Sequence, residues 1–154
     1  MTFAESRIIS GDITWIWKTA SDPRTWPDWD PHVVKVRFDG PFAPGRQGWT
    51  KPHGGPGGPF TLVEVDPPHG YRTEDPMPGG IMTVATSYDD LGDGRIRVTR
   101  RVEVTGWFAP IFNFFWSKGM RRDMQRTFTA LECEAQHRAA QRLPEKSGSH
   151  CDTP

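Results

Sequence analysis

Arg100 is the residue whose setting most demands a chemical explanation. The segment from Arg95 to Val104 alternates in polarity, with Ile96, Val98, Val102 and Val104 in one phase, and Arg100 falls in that same apolar phase. A guanidinium cannot be buried bare. Either a bulge turns it outward, or water, a carboxylate or the polar end of a ligand lies within its reach. Tyr88 is a second hydrogen-bonding candidate. His53 could move a proton near neutral pH, and it shares one strand face with Trp49 and Lys51. The alternative for a histidine beside a glycine-rich loop is a solvated turn. Asp28 and Asp30 flank Trp29; paired carboxylates do acid–base work when one has a raised pKa, and otherwise two aspartates at a helix end are caps. His32 and His69, beside prolines, read as surface residues, and Arg121, Arg122 and Arg126 as a solvated helix face.

The aromatic residues suggest a wall for an apolar molecule rather than a catalytic array. Trp26 and Trp29 stand three apart in Trp-Pro-Asp-Trp-Asp-Pro, where a short helical turn must give way to a strand. They either wedge the turn against a sheet or line the mouth of a pocket. Phe108, Phe112, Phe115, Met120, Met124, Phe128 and Leu131 recur at helical spacing, interrupted at Gly119. The N-terminal half of this stripe, with Trp107, is expected to border a cavity, and Met124 to Leu131 to be plain core. No Ser-His-Asp or Cys-His order suggests a nucleophile. No Cys-x-x-Cys or His-x-x-x-His pair suggests zinc, and nothing calls for a cofactor.

The elements that must position these residues follow in order. Phe3 to Ile9 reads as a strand, Ile13 to about Ala20 as a helix capped by Asp12, and Asp22-Pro23 as the start of a second short helix ending at or soon after Trp26-Pro27. Strands are expected at 32–38, 45–51, 60–65, 71–75, 81–88, which includes Met82, and 95–104, with a tight turn at Leu91-Gly-Asp-Gly94. Trp107 to about Ala140 reads as one long helix, and 141–154 as a disordered polar tail. Hairpin-length connections force an antiparallel sheet, which curls by its own twist, and a single long helix buries its stripe only by lying in the curl.

The bulk composition narrows the possibilities. The chain has 154 residues, enough for one domain with a real core. Basic and acidic residues are both 19, so no global field draws it to nucleic acid or to an anionic surface. Only 35% of residues are hydrophobic, yet there are 7 Trp and 9 Phe, so the apolar volume is concentrated in rings. No apolar run is long enough for a membrane span and no leader is evident. Cys133 and Cys151 are not expected to form a structural disulfide, and a cytoplasmic location fits.

Several motifs together resemble one family. They are Ile16-Trp17, Trp26-x-x-Trp29-x-Pro31, Gly40-x-Phe42-x-x-Gly45, Phe60-x-x-x-Glu64-x-Asp66-Pro67-Pro68, Gly94-x-x-x-Val98-Thr99-x-x-Val102-x-Val104-x-Gly106, and the closing amphipathic helix. In this order they resemble the START-like (SRPBCC) helix-grip superfamily, and more narrowly its bacterial polyketide cyclase/dehydrase-type proteins, over about residues 3 to 137. The resemblance implies an α+β helix-grip domain at 3–140, with two short helices between the first two strands. It implies a small apolar ligand, a polyketide, lipid or aromatic metabolite, held between sheet and helix. Trp26, Trp29, Trp49, His53, Met82, Tyr88, Arg100, Trp107, Phe108, Phe112 and Phe115 are the candidate ligand-binding residues. The first alternative is a cyclase or dehydrase with Arg100, His53 and Tyr88 positioning the substrate, moving its proton and hydrogen-bonding it. The second is a protein-interaction module using exposed aromatics. Ligand identity and oligomeric state stay open.

Overall fold

The structure, a computed structural model, describes residues 1–142. Its strands are β1 (Thr2–Ser10), β2 (Val33–Phe38), β3 (Gln47–Pro52), β4 (Gly58–Asp66), β5 (Gly70–Met77), β6 (Gly80–Gly92) and β7 (Arg95–Val104). They form one antiparallel sheet in the order β1-β7-β6-β5-β4-β3-β2. Each hairpin pairs with its sequence neighbour, and β1 closes against β7 through a register running from Thr2–Glu103 to Ser10–Arg95. The tight turn between β6 and β7 is Asp93-Gly94, both at positive φ (55° and 72°), the backbone such a hairpin needs. Irregular pairing at Val33/Lys35, Leu62/Glu64 and Asp90/Gly92 adds bends that deepen the curl.

Between β1 and β2 lie α1 (Ile13–Ala20), a 3-10 turn (Pro23–Thr25) and α2 (Trp26–Trp29). Asp12 caps α1 by accepting the Thr14 N–H at 2.8 Å. The helical path runs through Trp26 and does not stop at it, because Pro27 sits in the first turn of α2, where its missing N–H costs nothing. Asp30 then ends α2 with extended backbone.

The expected single terminal helix is two. α3 (Ala109–Phe115) and α4 (Ser117–Gln141) meet at Trp116, whose backbone leaves helical angles (φ −121°, ψ −24°). Gly119, the expected interruption of the stripe, lies inside α4. Only α4 is gripped by the sheet. Met124, Thr127, Phe128, Leu131 and Ala135 are its buried side, facing a core built from Phe3, Ile9, Leu62, Ile96, Val98, Val102 and Val104. β1 fixes α4 along its length: Glu5 accepts from Arg121 (3.1 Å) and Gln125 (3.0 Å), while Gln136 donates to the Ser10 carbonyl. Cys133, expected to be a reduced thiol, is disulfide-bonded. The tail, from residue 143 on, lies outside the described residues.

Candidate functional site

Strand alternation and register build the site. On β5, Tyr71, Thr73 and Asp75 share the concave face; on β6 it is Met82, Val84, Thr86 and Tyr88; on β7 it is Val98 and Arg100. Pairing sets Tyr71 opposite Thr86, and Thr86 opposite Arg100. Three polar side chains from three strands therefore form a row across the concave face. The Arg100 Nε donates to Thr86 Oγ1 at 3.1 Å, and the guanidinium carbon lies 5.8 Å from the centre of the Phe128 ring on α4.

Asp30 faces this row from the end of α2. It is buried, and its Oδ1 accepts the Thr127 hydroxyl at 2.8 Å and the His32 N–H at 2.9 Å. Burial works against the Arg100 charge. The phenols of Tyr71 and Tyr88 and the Asp30 carboxylate outweigh it and hold the guanidinium above its ordinary pKa, so Arg100 stays cationic. Burial drives the Tyr88 hydroxyl well above its usual range, so it is a neutral donor at any physiological pH.

Asp75, on the same face, has a shifted titration. Burial pushes it up to about 7, against a hydrogen bond with Thr73 that lowers it, and its Oδ1 has no hydrogen-bond partner. A carboxyl poised there can give or take a proton near neutral pH. His32 Nδ1 lies 3.4 Å from Asp123 Oδ2, close enough for attraction but not aligned for a hydrogen bond.

These groups surround a cavity of about 170 Å³ between sheet, α2 and α4. Trp26 closes one wall, its ring stacked on Phe60 (6.2 Å between centroids) and its indole N–H donating to the Ala20 carbonyl. The Trp29 indole N–H reaches Thr25 Oγ1 at 3.3 Å. Lining residues that keep some exposure, among them His32, Val33, Pro52, Asp75, Met82 and Met120, mark the mouth. Among the described residues no group of three His, Cys, Asp or Glu side chains could hold a metal ion.

Five of the eleven candidate residues come together here: Trp26, Trp29, Met82, Tyr88 and Arg100. The other six lie elsewhere. On β3 the cavity is lined by Thr50 and Pro52, so Trp49 points to the opposite, convex face, and His53 is not among the lining residues. There the Arg37 guanidinium covers Trp49 at 4.7 Å, and His53 is exposed beyond the strand end. Trp107, Phe108, Phe112 and Phe115 belong to α3 and its approach, and the break at Trp116 separates them from the helix that faces the cavity. Phe112 is buried against Trp116, Phe108 is half-buried, and Trp107 and Phe115 are exposed.

Conversely, Phe128, expected to be plain core, lines the cavity, and so does His32, expected at the surface. Tyr71, Thr73, Asp75, Thr86 and Thr127 are not singled out by the sequence reading. The signal that could have found the first three is the alternation of β5, which puts them on one face.

An antiparallel sheet curled round one long helix, with a cavity between them, defines a helix-grip domain. The family model described as polyketide cyclase / dehydrase and lipid transport matches residues 1–136, and the chain belongs to that family. Solved structures share its fold at low identity. TTHA0849 from Thermus thermophilus superposes with a TM-score of 0.73 at 12% identity, over 90% of this chain and 99% of that one. Ara h 8.0201 gives 0.71 at 14%, over 89% and 98%. A norcoclaurine synthase point mutant from Thalictrum flavum, in complex with a transition-state analogue, gives 0.67 at 15%, over 90% and 96%. No curated protein matches the sequence.

Proposed function

We propose that the chain binds a small, mostly apolar molecule in this cavity, with one anionic or carbonyl end directed at Arg100. The observation that carries the reading is the row Tyr71–Thr86–Arg100 crossing an apolar wall made of Trp26, Val84, Val98, Phe128 and Leu131. Arg100, half-buried and bonded to Thr86 and Tyr71, has five N–H donors, so some remain for a ligand. The volume narrows the ligand class. About 170 Å³ is below the roughly 300–1,000 Å³ of drug-sized sites and near the ~150 Å³ that accepts a benzene ring. A one-ring acid fits inside; a longer chain would leave its remainder in the mouth.

One observation favours catalysis as a second reading. Asp75, raised to about 7 at the cavity mouth, could exchange a proton with a bound carbonyl compound, as a cyclase or dehydrase requires. In the norcoclaurine synthase this fold carries an enzyme, so the scaffold is compatible with either role.

The binding test is a fluorescence titration reporting on Trp26 and Trp29, comparing 3-phenylpropanoate with 3-phenylpropanol. The two share ring and chain and differ at the polar end. The acid is expected to bind about tenfold or more tightly, the worth of one charge-assisted hydrogen bond. Equal affinity for the two, or no binding of either, would refute the placement of the polar end at Arg100.

A further inference from the structure

α3 and its approach carry a surface that nothing in the cavity explains. Phe114 is 82% exposed, Phe115 68% and Trp107 66%, with Ile111, Trp116 and Ile81 also exposed. Their rings meet one another in a chain. Trp107 meets Phe108, Phe108 meets Trp116, Trp116 meets Phe115, and Phe115 meets Phe114, with centroids 5.0 to 5.9 Å apart. The cluster is held in place. A Cβ on Gly79 would collide with the Trp107 indole, and Gly106, at φ +91°, lets the chain pass the Gly79 carbonyl, so the β5–β6 turn supports the ring. Apolar side chains this exposed and this contiguous mark a contact surface.

The charges around the cluster indicate what covers it. No acidic residue falls between Glu103 and Asp123. Two residues past Trp116, the outer face of α4 begins a cationic row at i, i+4, i+8: Lys118, Arg122 and Arg126, all exposed. Among the described residues Lys118 and Arg126 make no ion pair, and Arg122 reaches only its neighbour Asp123 at 3.9 Å. Arg121 is already held by Glu5. Protruding Trp and Phe side chains beside unpaired cations match the two layers of a membrane interface, an acyl boundary for the rings and anionic headgroups for the cations. No helix of the described residues is long and apolar enough to cross a membrane, so the contact is with the surface.

We propose that α3, with Trp107 and the Lys118–Arg122–Arg126 row, docks this protein onto anionic lipid bilayers. Met120, one turn beyond Trp116, lines the cavity, so docking would bring the mouth close to the lipid.

The test is co-sedimentation with vesicles of phosphatidylcholine containing about a third phosphatidylserine, against pure phosphatidylcholine. The expected result is binding to the anionic vesicles, weaker by about tenfold or more on the neutral ones and in high salt. Phe114→Ser with Phe115→Ser should abolish it, and Lys118→Glu with Arg126→Glu should reduce it about tenfold or more. Both pairs are exposed, so unchanged thermal unfolding shows that the fold is intact. Failure to bind either vesicle overturns the proposal. So does self-association in solution that disappears in Phe114→Ser/Phe115→Ser, which would make the cluster a protein interface.

Discussion

The cavity and the α3 surface are made of the same materials, aromatic rings beside cations, and differ in who supplies the partners. Inside, Phe128 lies under the sheet, Arg100 donates to Thr86, and Asp30 accepts from Thr127 and from the His32 backbone. Outside, Phe114 and Phe115 meet edge to face within their own cluster, and Lys118 and Arg126 have no carboxylate partner among the described residues. The break at Trp116 creates this division. α4 continues the apolar stripe into the core, while α3 turns most of its rings outward. A run of apolar residues at helical spacing thus says that a helix forms, not what the helix faces.

Truncation should separate the two regions sharply. Phe128→Ala is expected to cost about 3–5 kcal/mol in chemical denaturation, the usual loss for a fully buried ring. The same change at Phe115 should stay within about 0.5 kcal/mol. Similar losses at both positions would mean that α3 packs against the domain and that the contrast is false.

Asp75 is an exception in the interior, a carboxyl with an unpartnered oxygen, and it sharpens the comparison through pH. Its folded pKa, about 7, lies above the ordinary carboxyl value of 3.8. Between those values the folded chain holds a proton that the unfolded chain has lost, so this group's contribution to stability falls as pH rises from about 4 to 7. Asp75→Asn removes that fall. The variant should be more stable than the parent by roughly 1–3 kcal/mol at pH 8 and little different near pH 4. Parallel stability–pH curves for the two proteins would show that Asp75 is solvated.

Much of this architecture is legible in the sequence, and what is missed has identifiable physical causes. The alternation of β7 places Arg100 among inward valines, and short connections imply the antiparallel sheet, because both are local patterns. Alternation puts Trp49 on the face opposite Thr50, while His53 falls in the turn beyond β3. Alternation cannot say that the Trp49 face is convex, which depends on how the whole sheet curls. Tyr71 and Thr86 reach Arg100 only through the pairing of three strands, and that register is not written in any one of them. Pro76 argues for ending β5 at Asp75, yet the strand runs on to Met77 in pairing with β6. The break at Trp116 has neither proline nor glycine to announce it.

The claim on which the functional account turns is that Arg100 offers its charge to a ligand. Arg100→Gln keeps an amide within reach of Thr86 and removes the charge. The decisive measurement is the affinity of this variant for 3-phenylpropanoate and 3-phenylpropanol, beside the parent protein. The account predicts that the variant unfolds cooperatively, binds the alcohol as the parent does, and loses about tenfold or more in affinity for the acid. Undiminished preference for the acid in Arg100→Gln would contradict it.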